Sequence, residues 1–240
     1  MEEYCDLVDK STYDATIQEI MSIFNLIKSG KAPDDLMLLN YYKGVPISYK
    51  TSLVDMDQDT VTLTLHPNQG VVMGKTLKTF IASCNFRKHI LADVFILTPR
   101  QQEVSLRNFI FTEVLSTRRN YIRIDMDEPT DIKLTIDNKV VIGKLLDISL
   151  VSVAVALPDN IEIEHGTTVG LKMRLPAPGG ITFVDMSAEA VFFKKIDTQH
   201  FSKHIFLLKE SKLNEPILSQ YMVQRQMEIM KEIKELHWAV

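Results

Sequence analysis

From Asp14 to Lys28 the apolar residues Ile17, Ile20, Met21, Phe24 and Ile27 recur at helical spacing, and Gly30 comes next as a stop signal. The pattern predicts one amphipathic helix whose stripe packs into a core or covers the next domain. Lys31 to Asp35, with Ala32-Pro33 inside it, reads as a connector. Between Leu36 and Val114 the pattern changes to short β-type runs: Val45–Val54, Thr60–Leu65, Val71–Thr76, Lys78–Ser83, Phe86–Leu97 and Val104–Thr112. Asp55-Met56-Asp57-Gln58-Asp59 is a polar hairpin turn among them. Several short strands at such spacing predict a small barrel.

Strand signals resume at Ile132–Ile136, the turn Asp137-Asn138-Lys139 and Val140–Asp147, which together read as a hairpin. Ser152–Leu157 and Val169–Leu175 come after it, then the turn Pro176-Ala177-Pro178-Gly179-Gly180, then Thr182–Val184, Ser187–Lys194 and His204–Leu208. Six or so antiparallel strands without helical interruption predict a second, closed or nearly closed barrel. Helical spacing returns from Leu213 to Trp238, with Pro216 in the first turn and a stripe of Met222, Val223, Met227, Ile229, Met230, Ile233 and Leu236. The first half of this helix is expected to pack on the barrel. The second half, interleaved with Glu228, Lys231, Glu232, Lys234 and Glu235, extends further and suits core packing, a homodimer contact or a partner groove. The fold class is therefore mainly β: two small antiparallel β-barrels in tandem, with an N-terminal and a C-terminal α-helix. The expected divisions are a helical segment at 1–34, a barrel-like domain at 35–114, a linker at 115–123, a barrel at 124–210 and a helix at 211–240.

The 240 residues carry a net charge of −4, which argues against a duplex nucleic-acid binder, since that needs a broad basic surface. Two cysteines, Cys5 and Cys84, lie far apart without metal-type spacing, so neither a disulfide framework nor a zinc site is expected. The acidic start Met1–Asp6 has no basic-then-apolar run, and no stretch reaches the roughly 18 apolar residues of a membrane span. A soluble, cytoplasmic protein is the expectation.

Gly70-Val71-Val72-Met73-Gly74-Lys75-Thr76 ends like a phosphate-binding loop but has three residues between its glycines where the loop needs four. His66, His89, His165, His200, His204 and His237 are scattered, and no Gly-x-Ser-x-Gly elbow occurs. The expectation is a binding protein, not an enzyme, without metal or cofactor.

The chemistry concentrates between Ser116 and Ser152. Arg118, Arg119 and Arg123 surround Tyr121, and Asp147-Ile148-Ser149-Leu150-Val151-Ser152 ends the hairpin signal. Arginine is always charged and its planar fork grips phosphate or the guanine O6/N7 edge, or stacks on a purine face. An ionised Asp147 accepts only, matching the N1–H and N2–H₂ donors of guanine, while the Ser149 hydroxyl gives or takes a bond. Each half alone also suits a solvated linker run and an ordinary hairpin turn.

Arg119-Asn120-Tyr121-Ile122-Arg123, preceded by Arg118, and then Asp147-x-Ser149, resembles the PilZ family of cyclic diguanylate receptors, whose signature is Arg-x-x-x-Arg and then Asp/Asn-x-Ser-x-x-Gly. The resemblance covers about the C-terminal half of the chain. It implies that Arg119 and Arg123 hold phosphates and guanine faces, and that Asp147 and Ser149 hold a base at the barrel mouth. Ser152 stands where the family has glycine, and a side chain there costs about 1–2 kcal/mol where φ is positive. The order of a barrel and then an arginine linker looks like flagellar-brake members of the group, with Leu115–Ile122 as hinge. The resemblance further implies a second-messenger receptor acting on flagellum, pilus or biofilm machinery through protein contacts, or a degenerate adaptor that has lost the nucleotide. Arg174, on a neighbouring strand, would be either a further ligand contact or solvated.

Overall fold

The computed structural model describes residues 5–7, 13–114, 120–158, 160–176, 183–197 and 201–238. The chain divides into two compact units. One comprises Met1–Tyr42, Pro46–Asn120 and Lys231–Val240; the other comprises Lys43–Val45 and Tyr121–Met230.

In the first unit, β1 (Cys5–Leu7), β2 (Met37–Tyr42), β3 (Val45–Lys50), β4 (Leu53–Met56), β5 (Val61–Thr64), β6 (Lys78–Ala82), β7 (His89–Thr98) and β8 (Glu103–Val114) form a curled eight-stranded sheet. Its order is β3-β2-β6-β7-β8-β5-β4, with β1 pairing β8. Helix α1 (Tyr13–Lys28) lays its predicted stripe into the sheet: Ile20, Met21, Phe24 and Ile27 are buried in one core with Leu63, Ile81 and Ile90. The Phe24 ring meets Phe86 edge-on at 5.4 Å and Phe109 at 5.8 Å, a geometry that adds to simple area burial. The single run expected at Val45–Val54 is divided between β3 and β4, where the Thr64 hydroxyl accepts from the Ser52 amide at 2.9 Å.

The strand expected at Val71–Thr76 is instead part of a helix, α2 (Pro67–Thr76). Pro67 occupies its first turn, and His66 Nδ1 caps it by accepting from the Asn68 amide at 3.2 Å. Leu77, left-handed at φ 53°, ends it by donating to the Met73 carbonyl at 2.8 Å. The β-branched pair Val71-Val72 favours a strand locally, but tertiary contacts override that preference. Val72 and Met73 are fully buried, and the Gln69 amide donates to Asn40 Oδ1 at 2.7 Å. Thr79 donates to the same oxygen at 2.9 Å, and Asn40 Nδ2 donates to the Lys78 carbonyl at 2.7 Å. This buried amide also explains why β2 was not among the expected strands: a polar residue at its centre interrupts the apolar pattern. Gly70 and Gly74 therefore lie within a helix and form no phosphate-cradling loop.

The second unit is a closed antiparallel barrel of β9 (Ile124–Ile136), β10 (Lys139–Ile148), β11 (Ser152–Leu157), β12 (Thr168–Pro176), β13 (Phe183–Asp197) and β14 (Ser202–Leu208), in the order β10-β11-β14-β13-β12-β9. The β9–β10 hairpin turns on Asp137 and Asn138, both at positive φ (48° and 63°), the two-residue turn whose twist suits paired strands. Ile132, Leu134, Leu145, Ile148, Val153 and Phe206 are completely buried. Of the two expected strands at Thr182–Val184 and Ser187–Lys194, Thr182 lies outside the described residues and the rest merges into β13, for Asp185 and Met186 stay in register with Arg174 and Met173 on β12.

Helix α3 (Asn214–Trp238) closes the chain. Its predicted stripe divides: Met222, Ile229 and Ile233 are buried, as are Leu218 and Tyr221, whereas Val223 and Met227 are 57 % and 69 % exposed. Arg225 fixes α3 to β9 by an ion pair with Asp127 at 2.6 Å and pairs also with Glu228.

Candidate functional site

The end of β10 carries the second half of the motif, and its register carries Arg123, the last residue of the first half, to it. Leu145 pairs with Thr130 and Val155, but the next matched residue is Asp147, which pairs with Asp125 on one side and Ala154 on the other. On β9 the residues 126–129 are thus left out of the ladder, a bulge that re-aims the strand. Ile148 pairs with Ile124. Arg123 precedes Ile124 and Ser149 comes after Ile148, so the arginine and the Asp-x-Ser turn come to the same end of the barrel. Arg118, Arg119 and most of the expected hinge lie outside the described residues; Tyr121 and Ile122 are exposed.

Asp147 is 4 % exposed, and its Oδ2 is met by Lys203 Nζ of β14 at 2.7 Å. The register explains the reach: Asp147 pairs with Ala154, Ala154 pairs with Ile205, and Lys203 lies two residues along the same face. Ser149 is buried and forms a tight turn with Ser152. Its amide donates to the Ser152 carbonyl at 2.8 Å, and its hydroxyl oxygen accepts from the Ser152 amide at 3.0 Å and the Val151 amide at 3.3 Å. The two hydroxyl oxygens lie 2.9 Å apart.

Ser152 opens β11 and is not among the residues at positive φ. The conformational cost expected for a side chain at this position therefore does not arise. What serine adds is the hydroxyl contact to Ser149, which a glycine would lack.

Three groups near the site carry no signal in the sequence motif. Lys203 is distant along the chain and reaches Asp147 only because β14 and β10 both pair with β11. Lys43 Nζ pairs with Asp127 at 2.7 Å, and Gly44 approaches Arg123 through its backbone. Lys43-Gly44 between two apolar runs is a readable turn signal, but nothing local says what the turn touches. Burial pushes the Asp127 carboxyl up, yet the Lys43 and Arg225 cations outweigh it and hold the group below the ordinary aspartate value.

Arg174 pairs with Asp185 at 3.1 Å and lies over the Phe183 ring at 5.2 Å, on an exposed part of the barrel. His204 is buried, its Nδ1 3.2 Å from the Ser202 carbonyl, and burial pushes its pKa down. Among the described residues no three His, Cys, Asp or Glu side chains gather as a metal site would need, and no helix is long and apolar enough to cross a membrane.

No protein-family model matches the chain. An uncharacterized protein of Aquifex aeolicus (strain VF5) is 28 % identical over 146 residues, 58 % of this chain and 65 % of that relative, so the match spans less than two thirds of the relative's length. Among solved structures, the Bacillus subtilis inhibitor of motility MotI/DgrA aligns over 81 % of this chain and 96 % of its own at 16 % identity and TM-score 0.43. Escherichia coli YcgR in complex with c-di-GMP aligns over 98 % of both chains at 13 % identity and TM-score 0.44. The K. pneumonia MrkH complex with c-di-GMP covers 90 % of this chain and 96 % of its own at 11 % identity and TM-score 0.44. The second unit thus places the Asp-x-Ser turn beside Arg123 at one end of a closed six-stranded antiparallel barrel.

Proposed function

We propose that this protein is a receptor for cyclic diguanylate and passes the level of that second messenger to motility or surface-attachment machinery through protein contacts. Arg118, Arg119 and Arg123 hold the phosphates and stack on the guanine faces; Asp147 and Ser149 take the edge of one base, with Ser152 beside them. The observation that supports this reading best is the register of β9 on β10, in which Ile124 and Asp125 lie opposite Ile148 and Asp147. It brings Arg123 to the end of the barrel where Asp147 and Ser149 lie, a cation and two acceptors of the kind an anionic guanine nucleotide calls for. On this reading residues 115–123 form a linker between an N-terminal domain and the barrel, and ligand charge orders it.

Titration calorimetry with cyclic diguanylate, and GTP as control, tests the proposal. Saturable binding at micromolar concentration or tighter is expected, absent with GTP. Arg119→Ala and Arg123→Ala should each cost about 2 kcal/mol, roughly thirtyfold in affinity, because each removes a charge-assisted hydrogen bond. Affinity unchanged in both variants would remove the arginines from the site.

A second reading, an adaptor that does not bind the nucleotide and acts by protein contacts alone, is favoured by two contacts. Lys203 already occupies Asp147 Oδ2, and the Ser152 hydroxyl already occupies Ser149. Ser152→Gly separates the two: the receptor keeps or gains affinity when the Ser149 hydroxyl is released, while the adaptor shows no binding in either form.

A further inference from the structure

Gly44 lies at φ +79°, directly after Lys43 at φ 50°, so the two form a left-handed two-residue turn between β2 and β3. A Cβ built at Gly44 would fall on the Arg123 carbonyl oxygen, 3.0 Å from the Arg123 carbonyl carbon and 3.2 Å from the Asp125 amide nitrogen. The Asp125 amide itself donates to the Lys43 carbonyl at 3.1 Å. The turn therefore grips the backbone on both sides of Ile124, where the arginine segment enters the barrel. The Lys43–Asp127 ion pair lies one step further along the same strand.

We infer that Gly44 is a positioning residue of the nucleotide site: by admitting the Arg123 backbone where any side chain would collide, it sets where the Arg123 guanidinium is presented. The inference rests on the receptor reading above. Its physical basis is that a guanidinium fork recognises phosphate or guanine only in a narrow geometry, so a backbone displaced by even a fraction of an ångström misdirects it.

Two requirements coincide at Gly44, the left-handed backbone and the close approach, and substitutions separate them. Gly44→Ala violates both. Gly44→Asn relieves the first, since Asn108 and Asn138 of this chain adopt φ 56° and 63°, but keeps the colliding Cβ. Gly166→Ala imposes the same backbone strain in the same unit, at φ +86° with nothing within 4 Å of the added carbon. With full-length protein and cyclic diguanylate, both Gly44 variants should bind about tenfold or more weakly, the effect of misdirecting one charge-assisted hydrogen bond, while Gly166→Ala binds as wild type. Wild-type affinity in Gly44→Asn would overturn the inference, because strain rather than close approach would then be the requirement at Gly44. An equal weakening in Gly166→Ala would overturn it as well.

Hydrogen exchange of the ligand-free protein gives an independent measurement that needs no folded variant. The Asp125 amide should exchange slowly in wild type, and faster in whichever Gly44 variant folds. Exchange of that amide in wild type at the rate of an exposed loop would overturn the inference. Failure of wild type to bind cyclic diguanylate would bring down the receptor reading and with it the ligand role of Gly44. Slow exchange at Asp125 in that case would identify the receptor reading, and not the grip of the turn, as what failed.

Discussion

Asp147 is nearly closed to water, and the ammonium of Lys203 lies 2.7 Å from it. Removing one partner of such a pair leaves a buried carboxylate without water or counter-charge, a larger effect than the net worth of the pair itself. Lys203→Met should therefore destabilise the fold by about 2–3 kcal/mol, read as a shifted urea midpoint at unchanged slope. Asp147→Asn, which keeps the volume and leaves no lone buried charge, should cost less; a reversal of that order would show that Lys203 does not carry Asp147. Ser149 and Ser152 satisfy each other within one turn, which holds both hydroxyls in place.

At the scale of elements, α2 and the loop after β6 are both fixed by polar side chains. The Cys84 side chain beside Asp35, together with hydrogen bonds that Asp35 accepts from the Ser83 hydroxyl and the Cys84 amide, lowers its pKa from 3.8 to about 2. A folded-state pKa below the unfolded value means that the contribution is complete above pH 3.8 and is lost as pH falls toward about 2. Wild-type melting temperature should therefore drop more steeply than that of Asp35→Asn over that interval, measured by thermal denaturation at stepped pH; parallel curves would remove Asp35 from the account. The left-handed Lys43-Gly44 turn is an element of the same kind, short and locally ordinary, whose role comes from the strand it grips.

For the whole molecule the balance of charge matters more than any one contact. A net charge of −4 opposes approach to a polyanion, while Arg123 and the neighbouring arginines of the sequence favour a small anion locally. Gel-shift titration at about 0.15 M salt should show no saturable complex with duplex DNA, whose binding depends on many phosphate contacts and counterion release. A tight, salt-dependent complex would point to a basic surface that the composition does not predict. The two units place their polar groups differently: one buries an amide network beneath α2, the other gathers ion pairs at Lys203 and Asp127.

The period of the apolar residues was enough to specify both long helices, most strands and a mainly β fold, because burial of one face imposes that period on any helix or half-buried strand. The signature could be read as an expectation for a similar reason, since arginine, aspartate and serine offer the same donors and acceptors wherever they sit. The helix at Pro67–Thr76 was not legible: Val71 and Val72 prefer strands locally, and only burial of Val72, Met73 and Gln69 against the sheet reverses the preference. Nor were Lys203 and Gly44, which reach Asp147 and Arg123 through the pairing of β14 and β10 with β11 and through the β2–β3 turn, contacts that no local pattern encodes. The φ at Ser152 belongs with them, because a backbone angle is set by strand pairing, and pairing with Leu207 keeps this residue extended. Sequence determined which chemistry the chain carries; tertiary structure decided which groups meet, because that depends on contacts between residues far apart along the chain.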